Sequence, residues 1–371
     1  MIAAVLGLVV WLTHRHVGAD ASVYRAGALT LLKGEPLYTS ADLTTLPDWV
    51  RLPFTYTPAA AALFLPLALV PAGLEWGVLT VLSVVSLTVV IAVVARPSRW
   101  WLLGATGAAL VLEPVWKTLS LGQVNLILMA FVIVDVLVLS ARNSRWAGVL
   151  IGVAAAVKLT PLIFVPYLFF TGRWKDGLRA LGTFVALEAV MFAVIPHDAW
   201  LFWTKAATDP SRVGSVTWIF NQSLNGLVNR ASALAPWSLT VAVGVGVVLA
   251  GPAVWLVVRY SRRGEPLAAL LVAAFYALLL SPVSWSHHWV WAVPLIGLLV
   301  VTGRRWWALA AAALFASQIV MLVPNGGDVE FTWGLGWSIL GNAYVVAAAC
   351  GIVGLAVREL RLSAPVATLA K

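Results

Sequence analysis

The sequence predicts an all-α polytopic membrane protein, and three observations carry that prediction. The chain is 61% hydrophobic and only 11% charged, where soluble domains are about 45–50% apolar. Apolar runs recur along all 371 residues, many of them close to the roughly 20 needed to span a bilayer. The 20 Trp residues gather near run ends, at Trp100 and Trp101, at Trp285, Trp289 and Trp291, and at Trp306 and Trp307, as interfacial anchors do. The whole chain, 1–371, therefore reads as a single integral membrane domain. Its net charge of +9 comes as short basic clusters between apolar runs. That is a topology signal, and no nucleic-acid partner is expected. The single cysteine, Cys350, sits inside an apolar run, which excludes an internal disulfide and a cysteine metal site.

Taken in order, the first apolar run, residues 1–13, is short for a span. A signal peptide is the alternative, but it shows neither a charged leader nor a small-residue cleavage site. A start placed too far downstream would also explain the missing cytoplasmic flank. Residues 18–58 are polar, rich in Tyr and Pro, and hold Asp20, Arg25, Lys33, Glu35, Asp42, Asp48 and Arg51. They are expected as a long extracytoplasmic loop. Residues 59–70, interrupted by Pro66, are too short to cross and read as a segment dipping into the outer leaflet.

Residues 74–95 are a span ending at Arg96 and Arg99, residues 100–112 continue as another, and residues 113–125 form a polar connection. Residues 126–140 return to Arg142 and Arg145. Residues 147–171 are broken by Lys158-Leu159-Thr160-Pro161. This run is too long for one helix and too short for two crossings, so it predicts two short or re-entrant helices with Lys158 at the apex. A lysine at that depth should face protein or a wet cavity. Residues 181–195 lead to a second long connection, 196–236, and residues 238–258 return to Arg259, Arg262 and Arg263. Residues 266–280, 290–302, 306–323 and 337–357 complete the set, ending at Arg358 and Arg361 with a short basic tail at Lys371. Every basic cluster falls on one side if 59–70 does not cross and 147–171 crosses an even number of times. The count is then roughly 12 transmembrane or re-entrant helices, with the polar loops outside. No repeat marks paired transporter halves.

The outer side gathers Asp20, Tyr24, Arg25, Tyr38, Tyr56, Glu113, Lys117, Gln123, Asn125, Lys158, Asn221, Asn225, His287 and His288. No metal site is expected: adjacent His287 and His288 point about 100° apart on a helix and cannot ligate as an i, i+4 pair. There is no phosphate loop after a strand and no serine nucleophile elbow. An isolated carboxylate at a membrane exit, with cations and amides on the same face, suits a single displacement. One base takes a proton from an acceptor hydroxyl while cationic donors hold a phosphate leaving group. Plainer readings stand beside it. Asp20 equally suits the N-cap of a helix over 21–32, the histidines a Trp-rich interfacial belt, and Lys158 a snorkelling residue. Asn221-Gln222-Ser223 matches a glycosylation sequon and is discounted. Asp135 and Glu188, inside apolar runs, would line an ion path in a transporter or flippase; a scaffold without chemistry is a third reading.

The series Asp20…Tyr24…Gly34-Glu35-Pro36-Leu37-Tyr38 and then Pro53-Phe54-Thr55-Tyr56-Thr57-Pro58 resembles the first outer loop of glycosyltransferase family 87. These are polyprenyl-phosphate-mannose-dependent α-(1→2)-mannosyltransferases of the GT-C membrane fold. Gly122-Gln123-Val124-Asn125, Lys158-Leu159-Thr160-Pro161, Asn221-Gln222-Ser223-Leu224 and Ser281-Pro282-Val283-Ser284-Trp285-Ser286-His287-His288 are similar to further blocks, in order. The family often shows Tyr-Pro-Pro where this chain has Tyr56-Thr57-Pro58.

The resemblance implies Asp20 as general base and an inverting transfer from a β-linked polyprenyl-phosphate-mannose donor. It implies a mannosylated lipid acceptor such as a phosphatidylinositol mannoside, lipomannan or lipoarabinomannan, with no cofactor and no metal. Charge and sidedness add His287, His288 and Lys158 for the donor phosphate; Tyr24, Arg25, Tyr56, Gln123, Asn125 and Asn221 are the candidate substrate-binding residues. Membrane lipids are the remaining partners, the location is the plasma membrane with the active site on its outer face, and another lipid-phosphate sugar such as arabinofuranose is the alternative donor.

Overall fold

The computed structural model describes residues 2–38 and 42–363. Met1, residues 39–41 of the polar loop and the basic tail ending in Lys371 lie outside the described residues. The described chain is helical, and its only extended pairing is one antiparallel bridge between Asn221 and Trp285.

α1 (Ile2–Leu12) crosses the later helix α5 where two glycines meet: a Cβ on Gly7 would lie 2.6 Å from Gly77 Cα. Backbones approach this closely only where side chains are absent. α2 (Ala19–Lys33) follows, bounded by Gly18 and Gly34, both left-handed (φ 75° and 66°). Gly18, not Asp20, holds the N-cap position and Asp20 lies inside the first turn without a side-chain cap. The capping reading of Asp20 is thereby corrected, because a left-handed glycine starts the helix two residues early.

Residues 59–70 form two short helices, α3 (Pro58–Leu63), capped by Thr57 Oγ1, and α4 (Leu65–Ala68). α5 (Glu75–Ala95) is a full span, whereas α6 (Arg99–Ala109) is shorter than the 100–112 span expected. The 113–125 connection is also not a loop. It is α7 (Glu113–Leu121), with Glu113 fully buried, followed by a turn at left-handed Gly122 into α8 (Asn125–Val134). α8 continues as a π-helical turn through Ser140, and α7 and the α8 stretch are bent 118° from each other.

The 147–171 stretch is broken as expected, into α9 (Val149–Val157), a 3₁₀ turn at Thr160–Ile163 and α10 (Phe164–Phe170). Lys158 ends α9 in extended geometry (φ −146°, ψ 132°), and Pro161 opens the next turn, where its missing N–H costs nothing. Asp135 accepts from the N–H groups of Gly148 (2.6 Å) and Ile151 (3.0 Å). It therefore satisfies the open N-terminus of α9 and is committed to that role.

α11 (Trp174–Val194) starts seven residues ahead of the 181–195 run, with Arg173 at its N-cap and Lys175 and Arg179 within it. The 196–236 connection contains α12 (Pro196–Thr204) and α13 (Leu224–Ser232). The remaining helices are α14 (Ser238–Arg262), α15 (Pro266–Leu280), α16 (Ala292–Val301), α17 (Arg305–Ala316), α18 (Ile319–Leu322), α19 (Leu335–Gly341) and α20 (Ala343–Ser363).

Among the described residues five stretches are long and apolar enough to cross a membrane, Glu75–Ala95, Trp174–Val194, Ser238–Arg262, Arg305–Leu322 and Ala343–Ser363, and a sixth if the bent α7–α8 pair is one span. Shorter apolar helices, Thr160–Phe170, Pro266–Leu280 and Ser286–Val301 among them, fill the space between. The larger core joins α8, α10, α14, α15 and α20 through Leu126, Phe164, Leu256, Leu271 and Tyr344, and a second joins α2 to the polar loop through Tyr24, Leu37, Phe54 and Tyr56. This is a polytopic helical membrane protein.

Candidate active site

The site is assembled from four chain breaks that meet at one end of the bundle. The first is the start of α2. Asp20 and Tyr24 are one helical turn apart and share a face, whereas Arg25 turns away and donates from Nε to Val70 O (2.9 Å). The second break is the α7–α8 turn. Gly18 N donates to Ser120 O (3.1 Å), and a Cβ on Gly122 would lie 2.6 Å from Ala21 Cβ and 3.2 Å from Trp76 Cδ1. This close approach sets Gln123 beside Asp20. Replacing Gly122 (φ 68°) by Ala combines a clash with a disfavoured backbone. We expect Gly122→Ala to cost about 1–3 kcal/mol, read as a lower melting temperature of the solubilised protein.

Gln123 organises a buried polar group. Its Oε1 accepts from Tyr24 OH (2.7 Å) and Tyr56 OH (3.3 Å), its Nε2 donates to Tyr56 OH (3.2 Å), and the two hydroxyls lie 2.9 Å apart. Asp20, outside the membrane-spanning helices, stands at the open side of this group. Burial lifts its carboxyl to about 6, against a hydrogen bond from Gln123 and the positive charge of Lys158, which both pull it down.

The third and fourth breaks bring Lys158 and the histidine turn together. Lys158 Nζ donates to Asn125 Oδ1 (3.2 Å) and contacts His288 Nε2 at 2.9 Å. An ammonium has only donors, so His288 accepts at Nε2 and carries its proton on Nδ1. The turn itself, a 3₁₀ stretch over Ser286–Trp291, is held from below. His287 O accepts from Thr118 Oγ1 (3.0 Å) and Asn125 Nδ2 (3.1 Å), and Ser286 Oγ donates to Glu113 Oε1 (2.7 Å), whose other oxygen accepts from Tyr344 OH (3.3 Å). The two imidazoles meet edge to face at 4.8 Å, and the buried His287 Nε2 has no partner among the described residues. A cavity of about 50 Å³ opens beside Lys158, Asn125, Thr160 and His288, walled otherwise by apolar residues including Leu128, Phe164 and Trp291.

The structure thus joins Asp20, Tyr24, Tyr56 and Gln123 in one group, and Asn125, Lys158, His287 and His288 in a neighbouring one, linked through the charge of Lys158 on Asp20. Arg25 and Asn221 belong to neither. Asn221 Oδ1 accepts from Ser284 N (2.9 Å) and its Nδ2 donates to Val216 O (2.9 Å) and Pro282 O (3.3 Å), fastening the 220–222 and 284–286 segments. Thr118, Ser286 and Tyr344 support the histidine turn and were not singled out in the sequence. Their partners lie more than a hundred positions away, so no local pattern announces them. Among the described residues no three His, Cys, Asp or Glu side chains converge on one point.

Fold and site together define an integral membrane protein with a desolvated carboxylate poised beside a lysine–histidine cluster, the arrangement of a membrane-embedded group-transfer enzyme. The chain belongs to glycosyltransferase family 87, whose model matches residues 54–282. It is 31% identical, over 92% of its length and 85% of the relative's, to the polyprenol-phosphate-mannose-dependent alpha-(1-2)-phosphatidylinositol mannoside mannosyltransferase of Mycobacterium tuberculosis. The identically named protein of Mycolicibacterium smegmatis is 32% identical over 91% of this chain and 84% of its own. An alpha-(1-2)-phosphatidylinositol pentamannoside mannosyltransferase of Mycobacterium tuberculosis is 32% identical over 92% and 82%. No solved structure matches the chain significantly. The chain is therefore a membrane glycosyltransferase and not the transporter or scaffold that the sequence left open.

Proposed function

We propose that this enzyme transfers mannose from a polyprenyl-phosphate-mannose donor to the 2-hydroxyl of a mannosylated phosphatidylinositol lipid, forming an α-(1→2) linkage with inversion. Asp20 takes the hydroxyl proton as the acceptor oxygen bonds to the anomeric carbon. The bond from that carbon to the phosphate oxygen breaks, and the polyprenyl phosphate leaves with the electron pair. Lys158 faces the leaving phosphate and offsets its charge, the neighbouring neutral imidazoles offer it N–H donors, and Tyr24, Tyr56, Gln123 and Asn125 line the sugar between them. The observation that carries this reading is the meeting of Asp20 and Lys158 at the α2–α8–α9 junction, a base and a cation within electrostatic reach of each other.

The reading includes a GT-C arrangement of roughly 12 transmembrane or re-entrant helices in one domain of the plasma membrane. The 18–58 loop and the site are on the extracytoplasmic face. Basic helix ends support that sidedness. Arg179 Nη1 reaches Ser144 O (2.9 Å) and Arg173 Nη1 reaches Asn143 Oδ1 (2.8 Å), so two of the arginine-bearing loops sit side by side.

The test is direct. Protein in nanodiscs, given a short-chain polyprenyl-phosphate-mannose and a phosphatidylinositol mannoside, should yield a product whose new linkage is α-(1→2). Turnover with a lipid-phosphate pentose alone would replace the donor sugar in this scheme, and turnover with neither would sink it. A pH prediction accompanies it. Asp20 must be ionised to act, so kcat/KM should fall as the pH drops through about 6 and level off above it. Gln123→Leu removes a hydrogen bond that favours the carboxylate. Its acid limb should therefore move to higher pH in the same titration.

A further inference from the structure

At the far end of α14 from the histidine turn lies a cavity of about 240 Å³ walled by Trp255, Val258, Arg259, Arg262 and Arg263. We propose that this cavity binds the phosphate head of an anionic phospholipid, a site separate from the transfer reaction.

Three observations carry the assignment. The first is charge. Glu359 of α20 bridges Arg259 (2.8 Å) and Arg263 (2.7 Å), and Arg358 adds a further guanidinium at 3.6 Å. Arg304 and Glu265 lie within electrostatic reach of Tyr260 beside them. At the cavity one carboxylate thus meets four guanidiniums, Glu265 and Arg304 oppose each other nearby, and the surplus is positive. Guanidinium groups match phosphate oxygens in pairs.

The second is the wall. Trp255 lies under the Arg259 guanidinium at 5.2 Å, giving the cavity an apolar, interfacial floor. The third is continuity with the bilayer. Val241, Val245 and Val248 precede Trp255, Arg259 and Arg262 on one helical face and are all exposed, Val248 by 75%. An apolar track of exposed valines therefore leads through Pro252 and Trp255 toward the arginines, so an acyl chain lying along α14 delivers its head group into the cavity. A soluble anion has no use for such a stripe. Topology alone asks for positive charge at helix ends; it does not ask for a walled cavity above an apolar track.

The experiment titrates the purified full chain in neutral detergent with phosphatidylglycerol, phosphatidylcholine or inorganic phosphate, and reads bound lipid by native mass spectrometry. Wild type should prefer phosphatidylglycerol, and the preference should weaken as salt is raised. Each basic residue near a membrane surface contributes about fivefold, so Arg262→Gln with Arg263→Gln should weaken phosphatidylglycerol binding about thirtyfold. The corresponding double Lys variant, which keeps the charge, should retain the preference and serves as the folding control. Equal binding of the two lipids by wild type would overturn the proposal, as would unchanged binding in a folded double Gln variant. Inorganic phosphate binding as tightly as the lipid would make this a soluble-anion site and overturn it too. Mannosyl transfer plays no part in the readout, so the outcome is independent of the proposed reaction.

Discussion

Asp20→Asn should abolish most mannosyl transfer, lowering kcat by about 10²–10⁴-fold, the usual contribution of a positioned general base. The substitution is close to isosteric, and Asp20 caps no helix, since Gly18 occupies that position. The amide can still hydrogen-bond to Gln123, so the melting temperature should hardly change. Product analysis on matched amounts of folded wild type and variant checks this. A folded Asp20→Asn enzyme that turns over normally would dismiss Asp20 as the base. Glu113 would then be the next carboxylate to test, although its two oxygens are already engaged by Ser286 and Tyr344. For that reason Glu113→Gln is expected to act on stability first, and the two variants separate on a melting curve before any kinetics are run.

Lys158→Met is the second large effect, about 10²–10³-fold in kcat/KM for the donor, as when one preorganised donor is removed from developing charge. The ammonium holds Asn125 and His288 and acts on Asp20, so three consequences follow from one change. The donor KM should rise and kcat fall while the acceptor KM stays put. Loss of the positive charge also raises the Asp20 carboxyl further, so the acid limb of the pH profile should move upward. Movement of the acceptor KM with an unchanged donor KM would assign Lys158 to the acceptor instead. Steady-state kinetics with each substrate varied in turn distinguishes the two.

What the sequence made legible was local. Lys158-Leu159-Thr160-Pro161 announced a broken helix because proline forbids the continuation, and the structure has that break with Lys158 at it. Long runs such as 74–95 announced a span because length and apolarity suffice. Elements decided by distant partners were illegible. Residues 113–125 read as a loop because Glu113 and Lys117 are charged, yet Glu113 is buried by Ser286 and Tyr344 from the far end of the chain. Asn221 is a candidate substrate residue by its place on the outer side, and the sequence gives no sign that its amide bonds Ser284, Val216 and Pro282. Arg25 shares a helix with Asp20, and only the position of Val70 shows that it faces elsewhere.

The anchoring of the first turn of α2 has a consequence for how this enzyme can diversify. Its start is fixed by Gly18 on Ser120 and by the close seating of Ala21 on Gly122. The middle of the 18–58 segment is tied on separately, through Leu37 N to Asp198, and Arg51 pairs with Asp42 within it. Only the exposed stretch around Asp42 and Arg51 stands apart from the site, because Phe54 and Tyr56 bring the coil back to the core of α2 and to Gln123. Substitutions can accumulate in that exposed stretch while Asp20 keeps its place. The rim of the site can thus vary in sequence without disturbing the turn that seats the carboxylate.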